Sequence, residues 1–268
     1  MIHYQTKTVT VFQSRMFQLN STVVQTDDLV LIVDPGYFPD EIEEIRQFVD
    51  SIKGDRPLYL FFTLSDYDHI VGYGAFPNAA TIASKALVDS PLRDKQLADT
   101  IGYDHEFYIN RPFLLEYPHV NFVIDGEGKV EAGDTLIRFY PAIGHNHDGL
   151  MAAIQPLNIL IAGDYLSDIE FPFIYHSFEE YKQTIRTLEG LQLRMSNLTL
   201  IPGHGSVTND QSEVSKRITD SKEYLEILEN NLDDVTFEKY MDEKKYQFKT
   251  ALRRRHRDNI KQLKNEKK

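Results

Sequence analysis

The amino-acid sequence predicts an α/β protein made of layered strands and helices, and three stretches near its start support this prediction. Residues 1–36 contain short runs of β-branched residues separated by polar turns, which is typical of strands. Residues 39–53 carry apolar side chains every three or four positions and precede Gly54, which predicts an amphipathic helix. The uninterrupted apolar run at 58–64 predicts a buried strand. Alternation of strands and helices is typical of layered α/β folds.

These patterns continue along the chain and change character near Val207. Apolar runs predict six further strands, and residues 179–191 predict a helix before the last of them. The aromatic stretch 91–119 is interpreted as a helical excursion or a lid. The sequence after Val207 is charged and helical in pattern, so we predict a domain at 1–206 and a helical extension at 207–268, packed on it or projecting from it. The further strands are predicted at 120–125, 128–133, 135–142, 150–155, 158–164 and 198–203.

Composition limits the chemistry available to this chain. Hydrophobic residues make up 41% of the 268 residues, which is enough for a sizeable core. The sequence contains no cysteine, so any metal must be held by histidine, carboxylate or backbone oxygen. No stretch approaches the ~18 uninterrupted apolar residues of a membrane span, and the first residues lack the pattern of a signal peptide. We therefore predict a cytoplasmic protein without a membrane partner.

Charge is distributed unevenly. The net charge is −12, which argues against a protein that coats nucleic acid. Residues 241–268 nevertheless contain 11 Lys and Arg against 4 Asp and Glu, a net of +7, so the remainder carries −19. We interpret this basic stretch as the solvated face of a terminal helix, or as a surface that pairs with the acidic body or with a second copy in a homodimer. Binding of nucleic acid or a membrane through 253–257 is the weaker alternative.

Five of the apolar strands are followed within a few residues by carboxylates or imidazoles. Functional residues gather at strand ends in layered α/β proteins. In a chain without cysteine, a cluster of histidine and aspartate is what a hydrolytic metal site requires. Gly144 and Gly203 directly precede two of the histidines and permit a close approach of the backbone to a metal. The candidate residues are Asp34, Asp66, Asp68, His69, His145, Asp164 and His204.

The order of these segments is similar to that of the metallo-β-lactamase superfamily. The first family motif, a threonine followed by His-x-His-x-Asp-His and glycine, aligns with TLSDYDHIVG at 63–72. The later family segments resemble PAIGHNHDGL, IAGDYLSD and IPGHGSV. The resemblance covers residues 10–206. It implies a four-layer αββα sandwich with a dinuclear metal site between its two sheets, followed here by a C-terminal helical extension.

The resemblance also implies six metal ligands. Carried over residue by residue, four of them form a complete set around one ion, and three surround the other, because one aspartate is shared. One or two divalent ions of Zn, Fe or Mn are expected. The complete set is Asp68, His69, His204 and the shared Asp164, and the second set is Asp66, His145 and Asp164.

Two positions depart from the family motif. Leu64 stands where the family has its first histidine, and leucine has no lone pair with which to bind a metal. Asp66 stands at the second histidine and replaces a nitrogen ligand with an oxygen ligand. The second set is therefore rich in carboxylate, which favours Mn, Fe or Mg over Zn, or weak occupancy. His147 is considered as a substitute ligand, with a supporting or surface role as the plainer alternative.

The resemblance implies a hydrolase in which a metal-bound hydroxide attacks an ester, lactone, thioester or phosphodiester of a small-molecule substrate. Asp68 is expected to be catalytic by passing a proton to the leaving group. Ser167 stands where family lactonases that open acyl-homoserine lactones place a tyrosine, which argues against that substrate. Two alternatives stay open. One is a mononuclear metal-binding or sensory protein without hydrolysis, and the other is a phosphodiesterase that processes nucleic acid.

Several residues outside the ligand set are candidate contacts. His105, Arg111 and His119 are candidates for binding an anionic substrate. The aromatic segment 171–173 is interpreted either as a wall of the substrate pocket or as core packing. Asp34 is expected to shape a turn and to support a metal ligand rather than to bind the metal itself.

Overall fold

The computed structural model of the protein describes residues 1–230 and 234–267, which form two compact units. The first unit contains Met1–Pro141 and Asp148–Leu157, and the second contains Ala142–His147 and the described residues from Asn158 onwards. The predicted mixed α/β class is confirmed, because the chain contains two β-sheets together with helices, including helices after Val207.

The first unit contains a seven-stranded sheet whose strands follow one another in chain order. The first four strands pair antiparallel, and the fourth to the seventh pair parallel. The β-branched runs of the first 36 residues supply three of the antiparallel strands, as the sequence predicts. The strands are β1 (Ile2–Gln5), β2 (Val9–Gln13), β3 (Asn20–Gln25), β4 (Val30–Val33), β5 (Leu58–Phe61), β6 (Ala80–Ser84) and β7 (Phe122–Ile124).

The predicted amphipathic helix connects β4 to β5 and covers part of this sheet. Helix α1 (Pro39–Lys53) starts with proline, which suits the first turn of a helix, and ends before Gly54 with a φ of +56°. Its buried residues Ile42, Ile45 and Val49 belong to the same apolar cluster as strand residues such as Ile32. Burial of this apolar stripe is what stabilises the helix in its place.

Shorter helices and a three-stranded meander complete the first unit. Strands β8, β9 and β10 pair antiparallel in chain order and belong to the second sheet. A short helix forms at residues 67–70, directly after the loop that follows β5. The elements are α2 (Tyr67–Ile70), α3 (Lys85–Val88), α4 (Arg93–Glu106), β8 (Gly128–Ala132), β9 (Thr135–Pro141) and β10 (Leu150–Gln155).

The stretch 91–119 consists of α4 and an extended segment, which an ion pair ties together. The guanidinium of Arg111 donates two hydrogen bonds to the carboxylate of Asp104, at 2.6 and 2.7 Å. The two side chains are 3% and 7% exposed, and Arg111 also donates to the carbonyl oxygen of Tyr37 and lies over its ring. The prediction that Arg111 contacts a substrate anion is therefore wrong, because Asp104 already satisfies its charge.

The second unit pairs two parallel strands and carries the C-terminal helices. Helix α5 connects the two strands. Ser177 caps its amino end, and the Ser177 hydroxyl accepts a hydrogen bond from the backbone N–H of Glu180. The helices after Val207 bear out the predicted helical extension, while its boundary at 206/207 stays a prediction. The elements are β11 (Ile159–Ile161), α5 (Phe178–Arg194), β12 (Thr199–Ile201), α6 (Gln211–Glu229), α7 (Asp234–Glu243) and α8 (Lys249–Glu266).

An aromatic cluster joins the C-terminal helices to the loop before α5. The ring of Phe171 stacks on that of Tyr224 with centroids 4.1 Å apart, and His256 stacks on Phe237 at 3.7 Å. The hydroxyl of Tyr224 lies 3.0 Å from Nδ1 of His256. The segment 171–173 therefore contributes Phe171 to core packing, which was one of its two interpretations.

Every helix in the described part of the chain is too short or too polar to cross a membrane.

The buried ion pair gives a prediction about stability. Asp104→Asn removes the negative charge and leaves the guanidinium of Arg111 buried without its counter-ion. We expect the free energy of unfolding in urea to fall by about 3 kcal/mol. Asp99→Asn is the control, because Asp99 lies on the same helix in an exposed pair with Lys95, and its loss should cost less than about 0.5 kcal/mol. Equal, small effects of the two substitutions would contradict the structural role of Asp104.

Candidate metal centre

Two neighbouring strand ends in the first unit bring together the residues that follow β4 and β5. These strands pair parallel, so their carboxyl ends lie at the same edge of the sheet. Asp34 follows β4 directly, and its backbone N–H donates to the carbonyl oxygen of Phe61 at the end of β5. Asp34 has a φ of +48°, a backbone conformation that aspartate tolerates better than most residues. The strained turn directs its carboxylate towards the loop that follows β5.

The carboxylate of Asp34 accepts hydrogen bonds from Thr63 and contacts the imidazole of His69. Its Oδ1 accepts from the backbone N–H of Thr63 at 2.9 Å, and its Oδ2 accepts from the Thr63 hydroxyl at 2.6 Å. The same Oδ2 lies 3.0 Å from Nδ1 of His69, which is fully buried. A carboxylate beside Nδ1 fixes the ring orientation and leaves Nε2 as the nitrogen available to a ligand. Asp34 thus has the supporting role that the sequence suggested.

The remaining predicted ligands of the first unit lie on the same short helix. Asp66 is the residue before α2, and its Oδ1 accepts from the side-chain amide of Gln96 at 3.1 Å. Asp68 lies in the helix, and its Oδ2 is 3.9 Å from Nε2 of His69. Asp68 is 7% exposed, so both members of this pair are buried. The first unit therefore brings Asp66, Asp68 and His69 together on one turn of chain.

Leu64 lies in the same loop and takes no part in this polar cluster. Its side chain is 2% exposed, as expected of a leucine in a core. Position 64, where the family motif has its first histidine, therefore holds a buried apolar side chain that cannot bind a metal.

The second unit repeats the arrangement of paired strand ends. Strands β11 and β12 are parallel, with Ile161 opposite Ile201. Asp164 follows β11 by three residues, and His204 follows β12 by three residues. The N–H of Gly203 donates to the carbonyl oxygen of Gly163 at 2.7 Å, so the two turns pack backbone to backbone.

Gly203 is required by this close packing. A Cβ atom at position 203 would lie 2.4 Å from Oδ1 of Asp164, closer than any real Cβ contact. The sequence singled out this glycine because it precedes a histidine, and the structure shows that it gives space to the carboxylate of Asp164.

Asp164 presents one carboxylate oxygen to each of two imidazoles. Its Oδ2 lies 3.1 Å from Nε2 of His145, and its Oδ1 lies 3.3 Å from Nε2 of His204. Both histidines are buried, at 3% and 5% exposure. Nδ1 of His145 lies 2.9 Å from the carbonyl oxygen of Phe173, which can only accept, so Nδ1 carries the proton. In the neutral ring, Nε2 then turns a lone pair towards a carboxylate, an arrangement that a cation stabilises.

The donor chemistry of both units fits divalent metal ions. The donors are imidazole nitrogens and carboxylate oxygens, the groups that zinc, iron and manganese bind in chains without cysteine. The shared contact of Asp164 with two imidazoles resembles that of a carboxylate bridging two ions. The first unit supplies Asp66, Asp68 and His69, and the second supplies His145, Asp164 and His204.

Sequence reasoning missed the residues that hold the second group in place. The hydroxyl of Tyr165 accepts from the backbone N–H of His145 and donates to the carbonyl oxygen of Ala142. Burial raises the pKa of Tyr165 far above its usual value, so the phenol stays a neutral donor. Tyr165 directly follows the shared aspartate, but an alternation of apolar residues gives no signal of such a contact.

A buried arginine from α6 ties together the two turns that carry Asp164 and His204. Arg217 is 3% exposed and donates to the carbonyl oxygens of Leu166 and Ser206. The carboxylate of Asp168 lies 3.7 Å from the Arg217 guanidinium and accepts from the Ser206 backbone N–H at 2.7 Å. The helical extension therefore contributes directly to the position of these turns.

His147 lies close to a second histidine outside the predicted ligand set. Its ring centroid is 6.0 Å from that of His176, whose Nε2 lies 3.1 Å from a carboxylate oxygen of Glu180. The proposal that His147 substitutes for a lost ligand stays a prediction.

Comparison with known proteins agrees with the resemblance seen in the sequence. The family model described as "Metallo-beta-lactamase superfamily" matches residues 15–204, and the protein therefore belongs to this superfamily. No curated protein matches the chain.

Solved structures share the fold at low sequence identity. The stereoselective inverting sec-alkylsulfatase Pisa1 from Pseudomonas sp. is 12% identical over 82% of this chain, with a TM-score of 0.64, and the match spans 41% of that enzyme. The chain thus spans about two fifths of the length of that enzyme. A metallo-beta-lactamase from Pontibacter korlensis is 16% identical over 82% of this chain and 97% of its own, with a TM-score of 0.56. An archaeal metallo-beta-lactamase superfamily protein from Sulfolobus tokodaii is 14% identical, covering 80% and 86%, with a TM-score of 0.54.

The Asp34 contact gives a prediction about metal affinity. Asp34→Asn preserves shape and tolerates the positive φ, but replaces one acceptor oxygen with an NH2 group that cannot accept from Thr63 or His69. We expect metal affinity to fall about 10- to 100-fold, measured by competition with a coloured chelator.

The matched control is Asp28→Asn. Asp28 accepts from two backbone N–H groups and a threonine hydroxyl, at residues 134 and 135, and contacts no histidine within the described part of the chain. Its substitution should leave metal affinity unchanged. Equal losses in both variants would show that general destabilisation, and not the orientation of His69, lowers the affinity.

Proposed function

We propose that the protein is a metal-dependent hydrolase with a dinuclear metal centre. The observation that carries this proposal is the carboxylate of Asp164, whose side chain is 10% exposed, between Nε2 of His145 and Nε2 of His204. One oxygen for each imidazole is the arrangement expected of a ligand shared by two ions. The donor sets proposed from the family resemblance are Asp68, His69 and His204 for one ion and Asp66 and His145 for the other, with Asp164 common to both.

The two proposed sets differ in chemistry. The first combines two imidazoles with carboxylates, which suits zinc or iron. The second has a single imidazole, because position 64 holds a buried leucine, and its carboxylates suit manganese or iron. We therefore propose that the second set binds its ion more weakly than the first.

Divalent ions in such a centre lower the pKa of water and polarise the oxygen of a bound substrate. The residues of the chain supply orientation and proton transfer. Asp34 fixes His69, and the carbonyl of Phe173 fixes His145, so neither ring needs to reorganise during turnover. Asp68 is proposed to accept a proton from the attacking water and to pass it to the leaving group.

The proposed substrate class rests on the family resemblance and not on a particular contact in the structure. We propose a small molecule with an ester, lactone, thioester or phosphodiester bond. The similar structures include an alkylsulfatase and a metallo-beta-lactamase, which supports hydrolysis and leaves the bond type open. A cytoplasmic location and a homodimeric state remain predictions from the sequence.

A second candidate is a mononuclear metal protein without hydrolysis. It is favoured by the buried Leu64, which leaves the second donor set one imidazole short. Leu64→His discriminates between the two functions. A gain in both metal content and hydrolysis in Leu64→His would identify the natural protein as mononuclear. A natural enzyme that is already dinuclear should instead lose activity, because the substitution places a polar imidazole in a buried apolar position.

Elemental analysis of the purified protein tests the proposed centre. We expect about two divalent ions per chain after reconstitution with zinc, iron or manganese, as in other dinuclear hydrolytic sites. Asp164→Asn should bind at most about one ion, because an amide bridges two cations poorly. Hydrolysis of a panel of esters, thioesters and phosphodiesters should fall in the same variant.

Asp210→Asn is the control for this experiment. Asp210 begins α6 and accepts from the backbone of Ser212 on the exposed surface of the same unit. Its substitution should leave metal content unchanged. Absence of metal from the reconstituted natural protein, or full metal content in Asp164→Asn, would contradict the proposal.

A further inference from the structure

The segment that holds His145 in place also presents aromatic rings beside it. The carbonyl oxygen of Phe173 lies 2.9 Å from Nδ1 of His145, and the backbone N–H of Tyr175 donates to the carbonyl oxygen of His145. The ring of Tyr175 lies 5.0 Å from the imidazole, centroid to centroid, and is 40% exposed. One exposed aromatic ring therefore lies directly against a proposed metal ligand.

A cation from the C-terminal helix lies over the same rings. The Cζ atom of Arg255 in α8 is 5.6 Å from the ring centre of Phe173 and 5.7 Å from that of Tyr175. Contacts of this kind stabilise a guanidinium through the electron-rich ring faces. The ring of Tyr175 thus contacts both the guanidinium of Arg255 and the imidazole of His145.

The donors of Arg255 are not used within the described part of the chain. Arg255 has no hydrogen bond to another side chain or backbone group there, and no ion pair. Two other arginines of this unit have carboxylate partners. Arg253 pairs with Glu238, and Arg217 pairs with Glu213. A guanidinium held by its faces keeps its in-plane N–H groups available to an anion.

Helix α8 is fixed against this segment, so the position of Arg255 is set by the fold. Asn259 is 1% exposed, donates to the carbonyl oxygen of Pro172 and accepts from the backbone N–H of Ile174. Gln262 donates to the carbonyl oxygen of His176 one turn further along. These contacts attach the helix on both sides of Phe173 and Tyr175, which makes Arg255 a pre-organised group rather than a mobile surface side chain.

We infer that the substrate carries a negatively charged group and that Arg255 binds this group beside the proposed centre. The inference rests on the proposed function. The group is an oxyanion such as a carboxylate, sulfate or phosphate, because a guanidinium binds two oxygens of such a group through parallel N–H bonds. The chain as a whole carries −12, so an anionic substrate needs a local cation of this kind to approach.

Hydrolysis of two matched esters tests this inference in the metal-loaded protein. The mono-4-nitrophenyl ester of glutaric acid carries a distal carboxylate, and the 4-nitrophenyl ester of pentanoic acid has the same chain length without it. In Arg255→Gln we expect KM for the anionic ester to rise about 10- to 100-fold, as for loss of a charged hydrogen bond, with kcat and the neutral ester unaffected. Arg255→Lys should lose less, because it keeps the charge but not the planar pair of donors.

Arg254→Gln is the matched control. Arg254 is the exposed neighbour of Arg255 on the same helix, and its substitution removes the same positive charge. It should change neither KM. An equal loss for both esters in Arg255→Gln would assign Arg255 to structure alone, and no loss for either ester would overturn the inference. Thermal unfolding of each variant shows whether the fold is retained, and Arg255→Lys serves if Arg255→Gln does not fold.

Calorimetric binding separates this inference from the proposed function. Acetate, methyl sulfate and methyl phosphate are titrated into the natural protein and into Arg255→Gln. Binding that weakens at least about tenfold in Arg255→Gln supports the anion site even if no ester is hydrolysed, and the tightest of the three probes identifies the oxyanion. Equal binding by both proteins, or no binding of any probe, would overturn the anion site whatever the hydrolytic activity.

Discussion

The carboxylate of Asp164, largely shielded from solvent between two imidazoles, constrains the residues around it. Removing the charge of Asp164 from water costs several kcal/mol, and that cost is recovered only if cations and hydrogen-bond donors are held at fixed positions around it. In the second unit, the groups that position Asp164 and His145 come from segments that are distant from them in the sequence. Gly203 gives the carboxylate space, and the carbonyl of Phe173 fixes the proton of His145 on the nitrogen that faces away from Asp164. The first unit applies the same principle where Asp34 fixes His69.

The C-terminal helices are part of this arrangement. Arg217 in α6 links the turns that follow β11 and β12, so the helix restrains the backbone that carries Asp164 and His204. Asn259 in α8 restrains the segment around Phe173, which in turn orients His145. These helices therefore do more than present a charged surface to solvent. Loss of these helices is expected to loosen the centre as well as to remove a surface.

Much of the fold was accessible from the sequence because periodicity records burial. The alternating and continuous apolar runs predicted most of the strands but not β1, and the 3–4 spacing predicted α1 and α5. Polar residues after those strands identified the candidate donors, since strand ends meet at one edge of a sheet. The short helix at 67–70 was not predicted, because a single turn of four residues leaves too little periodicity to detect. The pairing of Arg111 with Asp104 was missed for a different reason. A residue type does not reveal which of several nearby charges it will meet.

The supporting residues escaped prediction for the same physical reason. Tyr165, Arg217 and Asn259 act through contacts with segments 20 or more residues away or through backbone carbonyls. Such contacts depend on tertiary packing and leave no local pattern in the chain. The donors themselves were visible because their chemistry, and not their packing, distinguishes them from the apolar residues around them.

Diffraction from crystals of the metal-loaded protein, measured on both sides of the absorption edge of the bound metal, tests the shared role of Asp164 most directly. Two anomalous peaks, one beside each carboxylate oxygen of Asp164 and each with a histidine nitrogen, are the expected result. A single peak that contacts only one oxygen would indicate a mononuclear protein. Peaks away from Asp164, His145 and His204 would contradict the central claim.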